Sequence, residues 1–487
     1  GGTVNISAGT YAENVTVSKA MTIAGAAGVT VNSFILSNKI VAINNVTVNT
    51  IDVLSGASVQ DAVNAVSSGG TVNISAGTYA ENVTVSKAMT IAGSGGVTVN
   101  SFILSNKIVA INNVTVNTID VLNGASVQDA VTAINTGGTV NVNAGTYVDN
   151  ITLSKILTIN GIGSPVINAI TLTNQSATVT GVLVNTVNVQ GTALVQEGVN
   201  LVNSGGVLNI NAGAYPENVS VAKAMTINGM GAVSVNTFNL SNQKVPINNV
   251  TVTSNIVNVV AGGSIQDGIN VVGNAGTVNV GAGNYLENIS LIKAVKVVGA
   301  GAPTVRGIQY VDPLATITGF GNAPDSIYVK NALQLQKAID NVKDSGVVFI
   351  DSNYYAGKYT VTNKNIKFNS YPKPKVPTLQ ALTINNTMGR VVTMNGQVKI
   401  EDSLNLTFGM VTTSGLNTFL LLDQALVSLG DDSTFINGPL MKESKSLGSR
   451  TFEFPVGKVK LGIRLVDLKI NQTANTFLPG KDSVVYT

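Results

Sequence analysis

The chain is 487 residues long, carries 11% charged residues and a net charge of +3, and contains no Cys, His or Trp. That composition excludes disulfides, thiolate or imidazole metal ligands and a histidine general base, and so small a net charge leaves no electrostatic footprint for nucleic acid. Mean hydropathy is positive at +0.30, yet no apolar run approaches the ~18 residues of a membrane-spanning helix.

The apolar residues alternate with Thr, Asn and Ser, as in "TVNIS" (3–7) and "NVTVNT" (45–50). That is the period of strands with one buried face. The chain opens on "GGTVNISAGTYAENVTVSKAMTIAG" (1–25), which recurs unchanged at 69–93. Copies begin at Gly1, Gly69, Gly137, Gly205, Ala275 and Ser345, spacings of 68, 68, 68, 70 and 70. Over 1–63 and 69–131 the first two copies differ at only three places, Ala26/Ser94, Ala27/Gly95 and Ser55/Asn123. This is tandem duplication, and the chain reads as an internal piece of a longer protein whose array continues upstream.

Each repeat runs in the same order. A short strand (3–6) leads to the turn "AGTYAEN" (8–14), then to strands at 15–18 and 21–25 and a longer strand-rich stretch at 29–54. The repeat ends in "GASVQDAVNAVSSGG" (56–70), where Val59, Ala62, Val63 and Val66 fall on one helical face. Ser58 and Asp61 resemble a capping box with Asp in place of Glu, and the Gly pair stops the helix. A helix of about ten residues is too short to stand alone, so its stripe must pack on the strands.

Three side chains recur in this pattern. Gln follows an apolar residue in the helix (Gln60, Gln128, Gln196, Gln266, Gln336), and Tyr follows the turn (Tyr11, Tyr79, Tyr147, Tyr215, Tyr285, Tyr355). Both are expected to be structural: Gln bonding backbone where helix meets sheet, Tyr covering the core with its hydroxyl in water. The turn acid (Glu13, Glu81, Asp149, Glu217, Glu287) is expected to be solvated, because one carboxylate per repeat is too few for Ca²⁺.

The stretch "SVQDAVNAVSSGGTVNISAGTYAENVTVSKAMTIAG" (58–93) resembles the opening motif of right-handed parallel β-helix proteins, the pectin-lyase-like fold. The resemblance implies an all-β chain: a right-handed parallel β-helix or solenoid of tandem 68–70-residue units, each with one short helix, followed by a β-rich C-terminal region. At roughly 22–24 residues per coil it implies about three coils per repeat. The helix then either lies against the side or replaces one wall of every third coil. A string of separate β-domains is the alternative, disfavoured because no linker separates the repeats.

Character changes near residue 300. Residues 1–300 hold 9 Lys/Arg and 11 Asp/Glu, and residues 301–487 hold 19 and 14. The expected organisation is tandem repeats over 1–344 (1–68, 69–136, 137–204, 205–274, 275–344), a divergent sixth repeat with continuing β-helix over 345–430, and an incomplete, sandwich-like β segment over 431–487. In the sixth copy Gly357 replaces the turn acid and Lys358 the following Asn, and Pro374 and Pro377 predict a loop. "GPLMKESKSLGSRTFEFPVGKVKLGIRLVDLKI" (438–470) resembles a segment of large cell-surface and secreted proteins of the Bacteroidetes, through Gly438-Pro439-Leu440, Lys442, Phe454-Pro455-Val456-Gly457 and Arg464. That resemblance implies export by the type IX secretion system, with glycan attachment at Asp325-Ser326-Ile327, Asp402-Ser403-Leu404, Asp432-Ser433-Thr434 and Asp482-Ser483-Val484. Pro455 and Gly457 read as a turn between two strands.

No catalytic constellation is visible. Glycoside hydrolysis needs two carboxylates flanking one bond. Here the turn acids are single, the first Arg is Arg306, and Gly430-Asp431-Asp432 reads as a polar turn. No catalytic, cofactor or metal residue is assigned. The expected function is a non-catalytic structural segment of a large secreted or surface protein, an adhesin stalk or filament-forming scaffold, located outside the cell. Its expected partners are further copies of itself or other surface proteins, without nucleic acid or a membrane span. Carbohydrate binding or processing is the alternative, with glycans as partners, and ice binding lacks a regular Thr-x-Thr face.

Overall fold

The computed structural model describes residues 1–37, 41–105, 109–173, 177–241, 244–321, 324–371, 376–387, 389–428, 434–443, 448–458, 462–472 and 483–486. For 371, 448–454, 456–458, 462–472 and 483–486 it describes the backbone alone. Pro374, Asp431, Asp432 and Asp482 lie outside the described residues. The protein is all-β, with parallel strands stacked as a β-solenoid and a few short helices. Alternation does what it predicts: in Thr71–Ile74, Val72 and Ile74 are buried while Thr71 and Asn73 face outward.

The chain forms two compact bodies, Gly1–Asn236 with Lys244–Thr253, and Thr237–Gln243 with Ser254–Thr487. In the first, Asn14, Ser33, Thr50, Thr71, Thr90 and Ala110 lie in register one above another, rising along the chain by 19, 17, 21, 19 and 20. The column therefore passes from repeat one into repeat two without a break, at Thr50–Thr71. That continuity excludes separate β-domains within this body.

Three helices interrupt the columns here: α1 (Val59–Ala65), α2 (Val127–Ala133) and α3 (Val195–Leu201). Each takes the place of one strand in one turn. Above Ala110 the next level is α2, and the strand Thr146–Leu153 follows it at Asn150. Asn14 and Asn150 are equivalent positions two repeats apart in sequence, and seven levels separate them in the stack. A repeat is thus three and a half turns, each shorter than expected, rather than three. The half turn moves each successive helix to the opposite wall: α1 adjoins the column ending at Val41–Asn44, and α2 the column ending at Val109–Asn112. The predicted apolar stripe of α1 is buried throughout.

One corner explains the glycine that closes "MTIAG". Asn45 and Asn113 adopt positive φ, a left-handed conformation that Asn tolerates. Their carbonyl oxygens lie so close to Gly25 and Gly93 that a Cβ at either glycine would overlap them.

The second body repeats the pattern with α4 (Ile265–Val271) and α5 (Ala332–Asn341). Asn288, Gly307, Ser326, Val347, Lys367 and Thr393 form one column, rising along the chain by 19, 19, 21, 20 and 26. The long last step contains the Pro-bearing segment, and Pro377 immediately precedes the strand Thr378–Asn385. Parallel stacking ends in antiparallel pairs, Gly448–Lys458 with Gly462–Gln472 and Leu440–Glu443 with Ser483–Tyr486. Pro455-Val456-Gly457 lies inside a strand rather than at the expected turn. Parallel pairing with Ile436 starts only at Val456, so Pro455 interrupts no parallel ladder there.

Candidate functional site

Each helix leaves two strand edges without a strand neighbour, and it brings its own unsatisfied ends. The recurring polar residues settle both. Around α1, the Glu81 carboxylate accepts from the Val59 and Gln60 N–H groups, both at 2.9 Å, and from the Ser58 hydroxyl at 3.0 Å. Asp149 accepts from Val127 N–H (2.6 Å), Glu217 from Val195 and Gln196 N–H (2.8 and 3.1 Å), and Glu287 from Ile265 and Gln266 N–H (2.9 and 3.1 Å). From the second copy through the fifth, the turn acid is therefore not the solvated group expected of it, whereas Glu13 is exposed as expected. In those copies the acid is the N-terminal cap of the helix of the preceding repeat, with its charge at the positive end of that helix.

The opposite helix end is met by a lysine six residues after the acid. Lys87 Nζ donates to the Asn64 carbonyl at 2.8 Å, Lys155 to Thr132 (2.9 Å) and Ile134, Lys223 to Asn200 (2.8 Å), and Lys293 to Asn270 (2.9 Å) and Val272. Partial burial pulls all four ammonium groups below the ordinary lysine value. Sequence reasoning missed this role. The signal was present in the constant spacing from acid to lysine: 81 to 87, 149 to 155, 217 to 223 and 287 to 293.

Between the two charges lies the glutamine. Gln60 Oε1 accepts from Thr84 N–H at 2.7 Å, and Gln60 Nε2 donates to Thr84 O at 3.1 Å. Its amide imitates one peptide unit of the missing strand. Gln196, Gln266 and Gln336 make the same pair with Ser220, Ser290 and Thr360, and Gln128 accepts from Thr152 N–H. This is the expected role, made specific. On the helix's other side, Asp61 accepts from Val41 N–H at 2.8 Å and Asp129 from Val109 N–H at 2.9 Å. Half of the predicted capping box holds, since Ser58 Oγ accepts from Asp61 N–H at 3.1 Å. The carboxylate half serves the strand edge instead, and burial pushes the Asp61 carboxyl up.

In four copies the tyrosine hydroxyl is bonded to backbone rather than left to water. Tyr79, Tyr147, Tyr215 and Tyr285 are buried and donate to the carbonyl four residues before, at 2.7–3.0 Å. The sixth copy departs from the pattern. With Gly357 in place of the acid, α5 follows Asn331, whose side chain makes no cap hydrogen bond. Lys364 still closes its C-terminus through Ile339 and Val342 carbonyls at 3.0 and 2.8 Å.

Compared with protein-family models, curated proteins and solved structures, the chain matches none.

Elsewhere a polar side-chain pair bridges the junction between repeats. Asn73 donates to Asp52 at 2.7 Å, Asn141 to Asp120 at 2.6 Å, Asn209 to Asn188 and Asn279 to Asn258 at 2.9 Å. At the last such junction the same register holds Tyr328 and Phe349, rings stacked at 4.2 Å and 4°. They line an open groove of about 620 Å³ with Ser290, Arg306, Gln309 and Asp325. Among the described residues no three acidic side chains converge as metal ligands. Of the expected glycan-attachment positions, Ser326 and Ser403 are half-buried, and Asp325 pairs with Lys343. Lys442 of the "GPLMK" stretch is buried and donates to the Leu422 and Ala425 carbonyls, at 2.8 and 2.5 Å.

Proposed function

We propose that the chain is a non-catalytic structural segment of a large secreted or surface protein, serving as a stalk or filament-forming scaffold. One observation carries this reading. From the second repeat through the fifth, the acid and the lysine of the opening stretch are both engaged in holding the preceding helix. Groups so engaged are not available for proton transfer or substrate binding. The resemblance of 438–470 to surface proteins of the Bacteroidetes supports an extracellular location and type IX export.

The experiment is imaging of the purified chain by electron microscopy across a concentration series, alongside incubation with polygalacturonate and related polysaccharides. Fibres or stable rods without turnover are expected; product release from any polysaccharide overturns the reading. A carbohydrate-binding reading draws on the groove at Tyr328 and Phe349, where an aromatic pair meets Arg306 and Asp325. Glycan-array binding lost in Tyr328→Ala would favour it.

A further inference from the structure

The chain holds five Asn-Gly pairs, at Asn123, Asn160, Asn228, Asn395 and Asn437. In four of them the fold restrains the pair. Asn160 and Asn228 lie in strands, in register with Asn141 and Thr180 and with Asn248. Their side-chain amides donate to Asn141 and Asn209, both at 3.3 Å. The Asn437 carbonyl accepts from Thr413 N–H at 3.1 Å. Asn395 is exposed, but Gly396 is buried so close to Ser370 that a Cβ there would overlap the Ser370 nitrogen. Asn123 is held by none of these. Asn123 and Gly124 are exposed in the turn 122–125, between the strand Thr118–Val121 and α2. Ala125 N–H closes the turn on the Leu122 carbonyl at 3.0 Å, and Gly124 has φ of 89°, so the turn is of type II. Among the described residues no hydrogen bond engages the Asn123 side chain, the Asn123 carbonyl or the Gly124 N–H. The peptide between them can therefore rotate, taking the turn from type II to type I, while the closing bond stays made. In the first repeat the same turn holds Ser55-Gly56, with φ of 83° at Gly56 and Ala57 N–H bonded to the Leu54 carbonyl at 3.0 Å.

We infer that Asn123 is a self-modification site, where the folded chain converts its own side-chain amide to a carboxylate with water as the only co-reactant. The Gly124 nitrogen gives its proton to water and attacks Asn123 Cγ. The new N–Cγ bond closes a succinimide ring. The Cγ–Nδ2 bond breaks, and Nδ2 takes a proton from water and leaves as ammonia. Water then opens the ring at either carbonyl. Cleavage of the N–Cγ bond leaves aspartate. Cleavage of the backbone C–N bond leaves isoaspartate, whose main chain runs through Cβ and Cγ and is one carbon longer. The longer connection loosens α2, whose Gln128 accepts from Thr152 N–H at 2.8 Å. The inference goes beyond the scaffold reading and does not rest on it.

The test incubates the full chain in mildly alkaline buffer and follows each Asn-Gly pair by peptide mapping with mass spectrometry, isoaspartate being scored by enzymatic methylation. Asn123 is expected to convert at least about tenfold faster than the other four, which must first open locally. In urea, where the fold is gone, the five rates should converge. Asn123→Ser restores the turn of the first repeat and should abolish the reaction at 122–125. Hydrogen exchange at Thr152 should quicken in the aged chain. Exchange at Thr84, which Gln60 of α1 holds after the Ser55-Gly56 turn, should not. Three results each overturn the inference: an Asn123 that converts no faster than the other four, a lead that persists unchanged in urea, or exchange at Thr152 that stays as steady as at Thr84.

Discussion

At the residue scale the repeat works because a few side chains substitute for backbone, and close packing leaves little slack around them. Gly93 is the sharpest case, since a methyl group there meets the Asn113 carbonyl of the next turn. Gly93→Ala should cost about 1–3 kcal/mol by overpacking, read as a lowered denaturation midpoint, whereas Asn113→Gly keeps the positive φ and should cost far less. The tyrosines predict the alkaline limit. Burial raises Tyr79, Tyr147, Tyr215 and Tyr285, and lifts Tyr310 and Tyr355 well above the ordinary phenol value. Their folded values exceed the unfolded ~10, so their contribution is intact below that pH and is lost as pH rises through the folded values. The half-buried lysines act with opposite sign. Their folded values lie below the unfolded ~10.4, so their ionisation cost is relieved as pH climbs toward it. Thermal melts from about pH 8 to 11.5 should show Tm level or rising, then falling above about pH 10. Tyr310→Phe should shrink the fall. The recurrence of Tyr and Gln is plain in the sequence; that Glu81 and Lys87 grip a helix is not. Their partners belong to the repeat before, and recurrence marks a position without saying what it touches.

At the element scale, a seven-residue helix survives because the next repeat caps both of its ends. Its existence and its buried face follow from Val59, Ala62, Val63 and Val66, and so they were legible. Its place in the stack was not, because the helix period carries no information about which strand edge the helix replaces. The glutamine is the point of contact. Gln60→Ala leaves the exposed Thr84 N–H and C=O at the strand edge to water, and should cost about 0.5–1.5 kcal/mol. Hydrogen exchange should quicken at Thr84 before global unfolding. Gln60→Glu, which keeps size and loses the donor to Thr84 O, should be no better than Ala. A variant with unchanged exchange at Thr84 would show that the amide is not acting as a strand segment.

At the scale of the molecule, the decisive quantity is the half turn. The period of 68 is obvious in the sequence, but it is not a whole number of turns. The length of a turn itself varies from one level to the next, and an alternation whose period is two does not encode it. The mismatch has a consequence within the first body. Removing 69–136 joins repeat one to repeat three through the same contacts that already join two to three, since 58–68 and 126–136 share Ser, Gln and Asp at the helix start. The shortened chain should fold cooperatively with its Tm nearly unchanged, as nearest-neighbour stacking dictates. It should also place every later residue of that body on the opposite wall. Removing a single turn instead preserves the wall but destroys the match between helix, acid and lysine, and should lower stability sharply. Labels on Ala12→Cys and Pro216→Cys give the readout, because these exposed positions are equivalent in repeats one and four. They lie on opposite walls in the intact chain, on the same wall after removal of 69–136, and on opposite walls again after removal of 69–204. The distance between labels should therefore alternate with the number of repeats removed, beyond the shortening of about 4.8 Å per turn. Distances that fall smoothly, with no alternation, would mean that the repeats do not turn by halves.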